Sequence, residues 1–233
     1  MNETKWERYG AGAGVAFVVL FVIGTFVVPM PPHFDASSSK MASYVSDHRH
    51  GLMVATLLEG FAVLAFLWFI GHLRHVLHRA EGGAEALSPI VFASGVALAA
   101  VGMMAALPLA TLAFMAGHAG DTSAAVVRML FEMNFVLGCL ASLAAGLFTL
   151  AASWSMVRGE MLNTNLGWLG LLFTACLWVS GSAELFLSSY SRGLDVLNLV
   201  GVLGFCLWML MASLAMYQHP EVERAGAHHP VFA

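Results

Sequence analysis

The sequence predicts an all-α polytopic membrane protein: a bundle of six transmembrane helices with a short amphipathic helix in the first outer loop. Two compositional facts and one pattern carry that prediction. Hydrophobic residues make up 59% of the 233 residues and charged residues 10%, against roughly 45–50% and about 25% in a soluble domain. Mean hydropathy is +0.79. The apolar residues come in long runs rather than amphipathic stripes, and a small soluble globule cannot hide that much apolar surface. Formal net charge is −4 with ten Lys and Arg, which excludes the basic footprint of a nucleic-acid binder. Cys139, Cys176 and Cys206 all fall inside apolar runs, so they read as small hydrophobes and give no disulfide framework or CxxC pair.

The spans are expected near Tyr9–Val28, Gly51–Leu77, Ile90–Ala116, Ala124–Ser153, Leu166–Leu187 and Asp195–Tyr217, within residues 9–217. Each is long enough for a hydrocarbon core of about 30 Å at about 1.5 Å per residue. The first run exceeds the roughly 7–15 residues of a signal-peptide core and has no small-x-small cleavage site before Pro29, so it reads as a helix. Between Pro29 and His50, Asp35 and Ser37–Ser39 offer N-caps, and Met41, Tyr44 and Val45 follow at helical spacing. That pattern predicts a short helix lying across the outer face. Gly10 and Gly14 in the first span, and Gly95, Ala99, Gly102 and Ala106 in the third, mark faces where helices touch. Pro108 should kink the third span.

The Lys and Arg distribution sets direction. With the N-terminus inside, Lys5, Arg8, Arg74, Arg79, Arg158 and Arg224 lie at cytoplasmic ends, and Lys40, Arg49, Arg128 and Arg192 outside. Residues 1–8 and 218–233 are then cytoplasmic, and the expected location is the inner (cell) membrane of a bacterium.

The residues that bear on function are those a membrane should reject. Glu59, Glu132 and Glu184 are expected at a similar depth, about 5–12 Å below the outer interface. Each lies on a face of small or polar residues, and a carboxylate near a helix centre costs about 2.5–3.5 kcal/mol. In the fourth span Arg128, Glu132, Phe135, Cys139, Ser142, Gly146, Thr149 and Ser153 recur at spacings of four and three, forming one stripe. Arg128 is a partner for Glu132 one turn along, and Asp195 and Asn198 extend the polar set from the sixth span. Asn134 points about 200° away from Glu132 and is left out. Glu59, Arg128, Glu132, Glu184, Asp195 and Asn198 are therefore the expected ligand- or ion-binding residues. Against this stands a simpler reading in which the acids lock helices together, Arg128 snorkels and Asp195 caps a helix.

His72, His75 and His78 repeat along the inner end of the second span, where headgroup contact outweighs a haem role, because no intramembrane His on another helix completes the ligation. Asp47-His48-Arg49-His50 is one compact ligand-like set, but its arginine would repel a metal cation. The 14 methionines are spread over several helices and read as packing. No nucleophile elbow, Walker loop, HExxH, CxxCH or dinucleotide fingerprint is present. The sequence thus offers no haem, nucleotide or flavin motif, and it leans away from an enzyme.

The stretch from Pro31 to Gly83 combines a proline pair, a Ser-rich short helix, Tyr44…His48-Arg49 and the run from Phe66 to Arg74 (FLWFIGHLR). It resembles uncharacterised multi-pass membrane proteins of bacteria, of actinobacterial type. The resemblance implies the six-helix fold and supplies no activity. Two functional classes follow from the residues themselves. The first binds or transports a cation, a proton or a small amine-bearing solute at the outer carboxylates. The second is a non-catalytic subunit or assembly partner, in a homo-oligomer or a larger membrane complex, whose acids pair with one another or with a partner chain. An intramembrane enzyme with Glu59 or Glu132 as general base is a weaker third.

Overall fold

A computed structural model of the chain describes residues 3–33, 35–80, 87–117, 123–159, 164–186 and 191–218. These form seven α-helices: α1 (Glu3–Phe26), α2 (Ser38–Asp47), α3 (Arg49–Ala80), α4 (Ser88–Met115), α5 (Ala124–Gly159), α6 (Thr164–Phe186) and α7 (Arg192–Gln218). Helices α3 to α7 are each long and apolar enough to cross a membrane. The apolar stretch of α1, Gly10–Phe26, is shorter.

Apart from α2, each helix packs on its neighbour in sequence, and α1 also packs on α7, so six helices close into a ring. Large apolar side chains face outward, as on α3, where Leu57, Phe61, Leu64 and Trp68 form an exposed stripe. Lipid is as apolar as these side chains, so what holds the ring together is close packing rather than hydrophobic drive. Packing is achieved at the centre by aromatic rings from alternate helices. Phe66 of α3 lies 5.1 Å from Phe17 of α1 and 5.3 Å from Phe148 of α5. Phe148 in turn meets Trp208 of α7 edge-on at 6.1 Å, and Phe205 joins Phe17 at 6.1 Å. At this level the ring is a filled core rather than a channel.

The first loop builds a cover over one end of the ring. Ser37 caps α2, its hydroxyl accepting from the Lys40 amide at 3.4 Å. Met41, Tyr44 and Val45 are buried against Leu52 and Ala55 of α3, Leu112 and Ala113 of α4, and Val127 and Phe131 of α5. The expected helix across the mouth is thus present, and its apolar face is the predicted one. The Tyr44 hydroxyl donates to the Pro29 carbonyl at 2.7 Å, and His48 Nδ1 donates to the Tyr44 carbonyl at 2.9 Å. Arg49 Nε donates to the Ala113 carbonyl at 3.1 Å, so a cation meets the last turn of α4, where carbonyls lack helical partners and the dipole is negative. Arg49, within the Asp47–His50 set, therefore ties the cover's end of α3 to α4.

Two local features differ from expectation. The fourth span is longer than predicted: α5 continues past Ser153 to Gly159, its polar Ser153 and Ser155 being buried among neighbours rather than ending the helix. Asn134, which the wheel set aside, reaches α4 and donates to the Ala105 carbonyl at 2.8 Å. Pro108 lies inside α4 and cannot donate to the turn before it. Asn134 supplies a donor to that same turn.

Candidate functional site

Three of the six expected residues, Glu184, Asp195 and Asn198, lie near one another at the covered end of α6 and α7, beside α5. Helices α5 and α6 approach closely there because position 181 is glycine. A Cβ on Gly181 would come 3.0 Å from the Cys139 carbonyl oxygen and 3.1 Å from Ser142 Cβ. This approach lets the Cys139 thiol donate to Glu184 Oε2 at 3.7 Å. Ser142 donates to the Gly138 carbonyl at 3.2 Å and accepts from Asn198 Nδ2 of α7 at 3.3 Å. One turn before Asn198, the Asp195 carboxylate lies within electrostatic reach of Glu184. From the first loop, His33 Nε2 comes within 3.7 Å of Asp195 Oδ2, with side-chain exposures of 47% and 42%.

The result is a ladder of polar groups running from Ser142 and Asn198 up through Cys139 and Glu184 to Asp195 and His33. Its electrostatics are lopsided. Asp195 sits in the first turn of α7, where the helix dipole favours an anion, whereas Glu184 lies in the last turn of α6, where it does not. The two acids also repel one another. Among the described residues, neither is paired with a Lys or Arg. Two acids within electrostatic reach, with a thiol beside one and an imidazole beside the other, can take up a proton or attract a small cation. Among the described residues, no cluster of three or more His, Cys, Asp or Glu is arranged to hold a metal ion.

The other expected residues stand elsewhere. Arg128 Nε and Glu132 Oε1 form an i,i+4 pair at 2.9 Å, with side chains 50% and 52% exposed. They occupy the beginning of α5, in the turns before Cys139. Glu59 is half-buried on α3 and faces α1, where a Cβ on Gly24 would come 3.3 Å from its Cγ. Among the described residues no hydrogen bond or ion pair joins Glu59 to the Glu184 group. Of the six expected residues, Glu184, Asp195 and Asn198 share one neighbourhood, Arg128 and Glu132 pair with each other, and Glu59 is separate.

Sequence reasoning underweighted three residues. Cys139 and Ser142 belonged to the predicted stripe of the fourth span but counted only as small residues. Their spacing with Glu132 was the available signal, and it indicated the face that meets α6. His33 lies in the first loop, and nothing in its spacing links it to Asp195, 162 positions later.

No curated protein and no solved structure matches this chain. The family model described as "domain of unknown function (DUF4386)" matches residues 12–212, which takes in the ring from α1 to α7, the cover and the Glu184–Asp195 neighbourhood together, and the chain belongs to that family.

Proposed function

We propose that the chain is a six-span protein of the bacterial inner membrane, with both termini cytoplasmic, that binds or transports a proton, a small cation or an amine-bearing solute at Glu184 and Asp195. Helix α1 would be the sixth span, since it completes the ring between α3 and α7. The Lys and Arg distribution supports the direction, which places the cover outside. The observation that supports the reading is that Glu184 and Asp195 lie within electrostatic reach of one another and that, among the described residues, neither is paired with a Lys or Arg. Asn198 would orient the site through Ser142. Glu59 and the Arg128–Glu132 pair would bias the field around the mouth rather than touch the ligand.

Infrared difference spectra of the protein in proteoliposomes, recorded as Na⁺ or methylammonium is perfused, test this reading. A carboxyl C=O band should change in the wild type and be missing from Glu184→Gln and from Asp195→Asn. A silent wild-type spectrum, or bands that persist in both variants, would overturn it.

One observation favours the second reading, a subunit of a larger assembly. A Cβ added at Gly60, Gly71 or Gly102 would meet nothing within 4 Å, so small residues open outward where another helix can approach. Disulfide crosslinking of Gly102→Cys in native membranes distinguishes the readings, since a ligand-binding monomer gives no crosslinked species.

A further inference from the structure

We propose that the end of the bundle opposite the cover is a binding rim for anionic phospholipid headgroups, organised on Arg74 and Arg158. Arg74 crosses from α3 to α4 and lies with Cζ 5.2 Å from the centroid of Phe92. Arg158 lies 4.9 Å from the ring of Trp154, one turn earlier in α5. Both arginines are exposed, and so in part are their rings, Phe92 at 36% and Trp154 at 39%. A guanidinium laid on an aromatic face is fixed in orientation at small entropic cost, and its in-plane N–H groups stay available for phosphate oxygens.

Length places these groups at headgroup level. Helices α3 and α5 have 32 and 36 residues, about 48 and 54 Å at 1.5 Å per residue, against about 30 Å of hydrocarbon. Trp168 in the first turns of α6 and Tyr217 in the last turn of α7 are exposed at the same end, where an aromatic belt marks an interface. The covered end exposes Phe26, Phe114 and Phe186 instead, rings with no polar edge for the interface. Among the described side chains of the rim, every fully charged one is an arginine, and exposed His75 and His78 add charge when protonated.

The two arginines lie on different faces, one between α3 and α4 and one on α5. They do not converge on a shared pocket for a free anion. A bilayer presents phosphates all around a perimeter, which is the geometry these sites fit.

The test is lipid selectivity measured by electron spin resonance in nanodiscs of phosphatidylcholine, with spin-labelled phosphatidylglycerol or spin-labelled phosphatidylcholine as probe. The glycerol lipid should be preferred, by roughly fivefold per arginine. Arg74→Gln and Arg158→Gln should each reduce the preference, and the double variant should abolish it. Lys40→Gln, on the cover, should leave it unchanged. In wild-type protein, which needs no variant to fold, the preference should fall as NaCl is raised. Equal retention of the two lipids, salt-independent preference, or full preference in the double variant would overturn the proposal. Loss of preference on adding inorganic phosphate, but not chloride at equal ionic strength, would reassign the sites to a soluble phosphate and equally overturn it.

Discussion

At the covered end, a carbonyl just past α1 and one in the last turn of α4 are met by the chain itself. Tyr44 donates to Pro29, and Arg49 donates to Ala113. At the opposite end, Arg74 and Arg158 rest on lipid-facing rings and spend their donors on no described carboxylate. The same residue type, arginine, closes a helix terminus in one place and faces outward in the other. What separates the two is the length of connection between helices. The first loop carries enough residues to fold back as α2 and bury an apolar face, so polar groups beneath it find protein partners. Polar substitutions at the covered end should therefore act locally and independently of lipid. Those at the rim should depend on which lipid is supplied.

The largest expected effect tests whether the two ends are separable at all, because the aromatic core lies between them. Phe148 is fully buried and touches rings from α3 and α7. Phe148→Ala should lower unfolding stability by about 3–5 kcal/mol, measured by thermal unfolding in nanodiscs, with protection from hydrogen exchange lost at both ends. Loss at one end alone would show that the ends unfold as separate units.

Next in size is Arg49→Met. Removing a charge-assisted bond to the α4 terminus should cost about 1.5–3 kcal/mol. Faster hydrogen exchange should appear at residues 112–117 and leave the rim unaffected. Exchange that rises equally around Arg74 would break the comparison.

Tyr44→Phe removes one neutral hydrogen bond and should destabilise the cover by about 1 kcal/mol, seen as exchange in α2 several-fold faster. Burial pushes the Tyr44 phenol above its usual value of 10.0. Its protonated form is the one the fold prefers, so the contribution is whole below the unfolded-state value and is lost as pH rises through the higher folded-state value. Absorbance titration should show a tyrosine ionising above pH about 10 in the wild type, and Tyr44→Phe should lack it.

The smallest effect is expected from Arg128→Gln. Its pair with Glu132 is half exposed, and such i,i+4 pairs contribute about 0.3–0.5 kcal/mol. Chemical denaturation should barely register the change, and any effect should shrink with salt.

Much of this architecture was legible in periodicity. Met41, Tyr44 and Val45 behind a Ser-rich cap identified α2 and its buried face, because a helix three turns long has few ways to hide three apolar residues. Run length located the long apolar helices α3 to α7, but it could not mark where α5 stops. Ser153 and Ser155 look like a polar boundary in sequence, yet neighbouring helices bury them. The site was legible in part. Wheel positions said which face of the fourth span carries Cys139 and Ser142, and that face meets α6. They could not say where along that stripe burial ends: Cys139 is buried, while Glu132, two turns earlier, stands exposed beside Arg128. Asn134 was passed over because its partner is a backbone carbonyl next to Pro108 on another helix, a contact with no signature in its own span.

The order of helices around the ring has a consequence for how the protein is made. Each span from α3 to α6 meets its partner as soon as the next one is synthesised, since neighbours in sequence are neighbours in space. Helix α1 is different: one flank is taken by α3, and the other waits for α7, whose Phe205 meets Phe17 and whose Ser213 lies against Gly14. A nascent chain emerges from its N-terminus, so the first helix to be made is the last to be fully surrounded. Ring closure therefore waits for α7, and a chain cut short before α7 would leave the α7-facing flank of α1, with Gly14 and Phe17, uncovered.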